Sequence, residues 1–185
     1  MMCTNRGGGM WRSTQSAGAQ GFKISNLVAD TSMSNSAKVA AFRRHLQNGD
    51  VNTRIDKNTQ YRHRVEFGRF APDAAHVSHE KLRSSKWRRE SQKAIRDGNN
   101  PKSLLRKDID PAQFVATHAG TGQIKISQGG SAVHEYITFR TPIGRTYNRR
   151  TGKYEPAYVM QIKYTDNGVH IFPTRTPGNS RGRRR

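Results

Sequence analysis

The sequence predicts an α+β fold, with N-terminal helices packed on a C-terminal antiparallel meander sheet. Three observations predict it. Apolar residues recur at helical spacing, with capping signals, between about residues 37 and 118. From Gln123 onward the pattern changes to alternation, rich in β-branched and aromatic residues and broken by Gly, Asn and Pro turns. Helices and strands are thus segregated along the chain, which favours helices on one face of a sheet over a parallel βαβ arrangement.

The elements follow in order. Residues 1–35 are rich in Gly, Ser, Asn and Thr, with isolated apolar residues such as Trp11, Phe22 and Leu27. Such a stretch offers little apolar surface to offset the entropy of ordering, so a flexible arm is expected, with one short ordered piece near Phe22–Val28. A first helix is expected over Ala37–Asn48, capped by Ser34 or Ser36, with Val39, Phe42 and Leu46 on one face and Gly49 as its stop. Tyr61, Val65, Phe67 and Phe70 suggest a short strand. A second helix is expected from Ser78 to Asp97, thinly apolar and heavily basic, closed by Gly98-Asn99-Asn100-Pro101. A third begins at Asp110 as N-cap and Pro111 as first residue, with Gln113 able to complete a capping box, and stops at Gly120.

Strands are expected over Gln123–Ser127, Val133–Phe139 and Ile143–Tyr147, with a turn over Asn148–Lys153. Ala157–Tyr164 reads as the longest strand. Thr165-Asp166-Asn167-Gly168 reads as a hairpin turn into Val169–Phe172. The domain is therefore expected over 36–177, with an Arg-rich disordered tail at 178–185.

Composition bounds the function. Lys and Arg number 33 against 13 Asp and Glu in 185 residues, a net charge of +20 and a pI near 11.1. That imbalance favours polyanionic partners and salt-sensitive association, with RNA (tRNA, rRNA or mRNA) as the first candidate. A membrane partner is not expected: no apolar run approaches the ~18 residues of a spanning helix, and Gly7-Gly8-Gly9 stands where a signal peptide has its apolar region. The lone Cys3 excludes an intrachain disulfide and a cysteine zinc site, and the His spacing completes no ligand set, so neither metal nor cofactor is expected.

Period-two alternation in the last hairpin puts Val169 and Ile171 on one face and His170 on the other. If the first pair faces the helices, His170 faces the open side of the sheet. Gln161 and Lys163 alternate with Met160, Ile162 and Tyr164 on the preceding strand. Metal-independent RNA cleavage needs a base for the 2′-hydroxyl, an acid for the 5′-oxygen and a cation for the phosphorane-like charge. His, Lys, Arg, Tyr and Thr suffice for this. A basic RNA-binding or packaging protein has the same composition, so catalysis further requires a second proton-transfer group near His170.

Three stretches in order, Ile95–Leu104, Phe114–Gly122 and Ile162–Thr174, resemble the bacterial polymorphic toxin type 50 family. The Gly-Val-His-Ile-Phe-Pro-Thr block is the most specific, followed by Ala-Gly-Thr-Gly. His134-Glu135-Tyr136-Ile137, Ile143-Gly144 and Thr151-Gly152-Lys153 fall where the family has comparable elements, and the resemblance covers roughly residues 60–177. It implies a ribonuclease with the small α+β fold shared by barnase, EndoU and RelE-type toxins. It also implies action in the cytoplasm of a target cell and neutralisation by an immunity protein. His170 matches the family's C-terminal His, and Thr165 keeps the hydroxyl of a family Ser. His79 and His63 are two candidates for the second catalytic group. Lys163, Arg175, Thr174, Lys81, Arg88 and Arg89 are the candidate phosphate ligands.

Blander roles stand beside these. A lone strand histidine is more often structural than catalytic. His118 fits a helix-terminal cation, and His134 beside Glu135 fits a cross-strand pair. The basic helix at 81–96 fits a solvated face. Gly120-Thr121-Gly122 fits a helix stop, because no helix follows it to cradle a phosphate. An ADP-ribosyltransferase is disfavoured, since no strand-borne Glu-x-Glu is present.

Overall fold

The computed structural model describes residues 21–55, 64–65, 85–101, 103–106 and 108–175. Among them the helices are α1 (Ile24–Ala29), α2 (Asn35–Gln47), α3 (Ser85–Arg96) and α4 (Pro111–His118). The strands are β1 (Arg64–Val65), β2 (Leu104–Arg106), β3 (Gln123–Ile126), β4 (Val133–Thr138), β5 (Gly144–Asn148), β6 (Lys153–Ala157), β7 (Val159–Thr165) and β8 (Gly168–Thr174). The tail at 178–185, most of the expected strand at 61–70 and the start of the second helix lie outside the described residues.

Local capping chemistry sets the helix starts. The Ser34 side chain accepts from the Ala37 amide at 3.2 Å at the head of α2. The Asp110 side chain accepts from the Gln113 amide at 2.8 Å at the head of α4, with Pro111 leading. The ordered piece expected near Phe22–Val28 is α1, which buries Ile24, Leu27 and Val28.

The α+β class holds, with antiparallel pairing dominant, but two features of the expected architecture are corrected. First, the strands form two sheets rather than one meander: β3-β4-β7-β8, all antiparallel, and β1-β2-β5-β6. Second, the helices are not gathered at the N-terminus, because β1 and β2 come before α4. Strand β4 pairs directly with β7, so β5 and β6 are an excursion that finds its own partner in β2. The run expected as one strand from Ala157 bends at Tyr158. Phe139 donates its amide to the Tyr158 carbonyl (2.8 Å) in the first sheet, whereas Ile143 donates to the Ala157 carbonyl (2.8 Å) in the second. One extended segment therefore serves both sheets. Strand propensity is local and sheet partnership is not, so alternation could not announce this split.

The core lies on one face of β3-β4-β7-β8. Phe42, Val115, Val133, Met160, Ile162, Tyr164, Val169 and Ile171 belong to one buried cluster with α1, α2 and α4. Phe42 meets Tyr164 edge-on, with centroids 5.0 Å apart. Alternation sends the other residues of these four strands to the opposite face.

Candidate active site

Within that core face sits one carboxyl group. Glu135 is fully buried and accepts from the amides of Gly120 (2.9 Å) and Gly122 (2.6 Å) and from the Tyr164 hydroxyl (2.6 Å). Arg43 on α2 donates to the carbonyls of the same two glycines at 2.6 and 3.0 Å. The Gly120-Thr121-Gly122 turn is thus held by its amides from one side and its carbonyls from the other. Its amides are consumed by Glu135, which leaves the turn a helix stop and not a phosphate cradle. Burial, together with the neighbouring Glu135, pushes the Tyr164 phenol far up. This clamp fixes β4 beneath the opposite face.

On that opposite face the registers build rows across the strands. Lys125 pairs with His134, His134 with Lys163, and Lys163 with His170. Four basic side chains therefore cross the sheet in one line. The next row, two residues along each strand, runs Gln123, Tyr136, Gln161, Phe172. His134 and His170 stand on either side of β7, roughly 9.5 Å apart at twice the strand spacing, with Lys163 between them. Val169 and Ile171 are buried while His170 is half-buried, so His170 faces away from the helices as the alternation implies.

His134 is half-buried in this row. Its Nδ1 lies 2.7 Å from Gln161 Nε2, which orients the ring. Burial disfavours its imidazolium and Lys163 adds repulsion, so its pKa lies below the ordinary 6.5 and it is neutral at neutral pH. Glu135 is its chain neighbour but faces the core, so the two do not pair. The Tyr136 phenol is pushed up by burial.

The remaining candidates are distributed as follows. Thr165 is in β7, and its hydroxyl donates to the Gly168 carbonyl within the hairpin turn at 2.9 Å. Thr174 ends β8 opposite Val159. The Arg175 Nη2 pairs with Glu155 at 3.1 Å on the second sheet, half-exposed. Arg88 and Arg89 are in α3, and Arg89 is exposed. His63, His79 and Lys81 lie outside the described residues. His118 packs its ring against Phe114 and Phe139, at 4.6 and 5.3 Å. Among the described residues no cluster of His, Cys, Asp and Glu could hold a metal ion, and no helix is long and apolar enough to cross a membrane.

Sequence reasoning missed His134 as a companion of His170. The signal lay in the alternation of Val133–Phe139, which puts His134 and Tyr136 on the face opposite Val133 and Ile137. Its significance needed the β4–β7 register.

Fold and site together define a small α+β domain with a line of histidine and lysine side chains across the sheet face turned away from the helices. A family model described as bacterial toxin 50 matches residues 86–173, from the start of α3 almost to the end of β8. Over that stretch the chain is similar to the bacterial toxin 50 family. The matched stretch contains the whole histidine–lysine row and contains neither His63 nor His79. No curated protein and no solved structure compared with the chain gave a match.

Proposed function

We propose that this toxin-family domain is a metal-independent endoribonuclease that acts on the face carrying His134, Lys163 and His170. The observation that carries the reading is the placement of two histidines on either side of a lysine in one cross-strand row. In-line cleavage needs the base and the acid on opposite sides of phosphorus, with positive charge beside the equatorial oxygens.

His134, kept neutral by its surroundings, takes the proton of the 2′-hydroxyl through Nε2. For this the Gln161 amide turns its oxygen to accept from Nδ1–H, a half-turn that leaves the contact in place. The 2′-oxygen attacks phosphorus as the bond to the 5′-oxygen breaks. His170 donates the proton that the leaving oxygen needs, and Lys163 balances the charge that builds on phosphate. The products are a 2′,3′-cyclic phosphate and a 5′-hydroxyl. Thr174, Arg175, Arg88 and Arg89 serve the flanking backbone, and Thr165 holds the hairpin that carries His170. His134 takes the place that His79 or His63 was expected to fill. A neutralising immunity protein would cover this same basic face.

The rival reading is RNA binding without cleavage, which the cationic row alone would support. The two separate when purified wild type, His134→Ala and His170→Ala are incubated with total tRNA and rRNA in EDTA. Cleavage by the wild type and by neither variant supports the enzyme. Equal gel shifts with intact RNA for all three support binding alone.

A further inference from the structure

We infer that Tyr136 and Phe172 form a stacking subsite for one unpaired nucleobase, so that the RNA bound on this face is single-stranded there. The inference rests on reading the face as an RNA site, and not on its cleaving the RNA.

The argument starts from the second row. Tyr136 on β4 and Phe172 on β8 both lie opposite Gln161 on β7. Both rings are half-buried on the face away from the helices. Their strands are roughly 9.5 Å apart, twice the strand spacing. A flat base between two rings needs about 7–8 Å, two van der Waals intervals. Between them, the Gln161 amide leans along the sheet to His134 at 2.7 Å and does not rise between the rings. Lys125 places its ammonium over the Tyr136 ring, 5.4 Å from the centroid, which helps to hold that ring in place.

The spacing between the rows completes the argument. The second row is two residues from the first, about 6.6 Å along the strands. That is the span of a ribose joining a phosphate to its base. A phosphate over Lys163 therefore sets an attached base over Gln161, between the two rings. A base paired in a duplex cannot enter, whereas an unpaired one stacks without regard to sequence.

The probe is a fluorescein-labelled 2′-O-methyl RNA octamer, which lacks the nucleophilic hydroxyl and reports binding alone. Its affinity is measured by anisotropy as a single strand, as a duplex and with one abasic position moved along it. The wild type binds the single strand more tightly than the duplex and loses affinity when one particular position is abasic. Tyr136→Ala and Phe172→Ala each weaken binding of the intact single strand by about 5- to 150-fold, the usual range for one stacked base. Neither variant loses more at the abasic position. Tyr136→Phe, which keeps the ring, stays within about twofold of the wild type and guards against a folding artefact.

Equal binding of wild type and both alanine variants, or a duplex bound as tightly as the single strand, overturns the subsite. If no form binds any octamer, the RNA reading falls with it. If the wild type binds as described yet leaves an all-RNA octamer intact, the subsite stands and the cleavage reading falls.

Discussion

Replacing Glu135 with Gln removes one acceptor oxygen from a fully buried site and puts an amide N–H₂ in its place. Glu135 receives three donors, the Gly120 and Gly122 amides and the Tyr164 hydroxyl, at 2.6–2.9 Å. The substituted side chain keeps one acceptor, so at least one donor faces another donor. An orphaned buried donor costs about 1–3 kcal/mol, and a weakened neighbouring bond adds about 1 kcal/mol. The expected loss is about 2–4 kcal/mol. For a chain of this size that lowers Tm by roughly 5–15 °C. Arg43 still holds the two glycine carbonyls, so the turn is loosened and not released. The assay is thermal melting followed by circular dichroism, with Tyr164→Phe as a second variant. Tyr164→Phe removes one of the three donors cleanly and should cost less. A Glu135→Gln melting point within about 1 °C of the wild type would refute the clamp, as would a larger loss for Tyr164→Phe.

Three further outcomes follow from the structure. The acidic limb of the pH–rate profile, set by protonation of His134, is expected below the ordinary imidazole value because burial and Lys163 both disfavour the imidazolium. Lys163→Met should slow cleavage and move that limb to higher pH, while a limb that does not move would remove His134 as the base. The same sign applies to stability. The folded pKa of His134 lies below the unfolded one, so its effect is absent above the unfolded value and stability is lost as pH falls below it. Gly144→Ala should destabilise by about 2 kcal/mol or more, because an added Cβ would come within 2.2 Å of the Leu104 carbonyl oxygen and 2.3 Å of Pro173 Cγ. Urea denaturation measures this, and an unchanged midpoint would show that the two sheets do not meet closely at Gly144.

What could be read from the chain followed the range of the interactions. The start of α4 is written in Asp110 and Pro111. The β7–β8 hairpin is written in Thr165-Asp166-Asn167-Gly168 and the alternation around it. These are local signals, and they placed His170 and Lys163 on the correct face. β2 is three residues long and follows Asn99-Asn100-Pro101, so it carried no pattern of its own. β6 contains Pro156 and spans the gap between the expected turn, which ended at Lys153, and the expected long strand, which began at Ala157, so its pairing with β5 could not be seen. The placement of His134 beside Lys163 depended on which strand lies beside β4. Once β7 is that neighbour, the register sets His134 opposite Lys163 without further assumption. Glu135 shows the same limit from the other side, because nothing in its local sequence tells that its three donors come from a helix stop and a strand three elements further along the chain.

The most direct test of the central claim uses a short RNA that the wild type cuts at one position, with a single 2′-deoxy substitution on the 5′ side of that bond. Products are identified by mass spectrometry in EDTA. The account predicts a 2′,3′-cyclic phosphate and a 5′-hydroxyl from the unmodified strand, and no cut at the substituted position. Cleavage that survives the substitution, or a product bearing a 5′-phosphate, would contradict a mechanism in which His134 activates the 2′-hydroxyl.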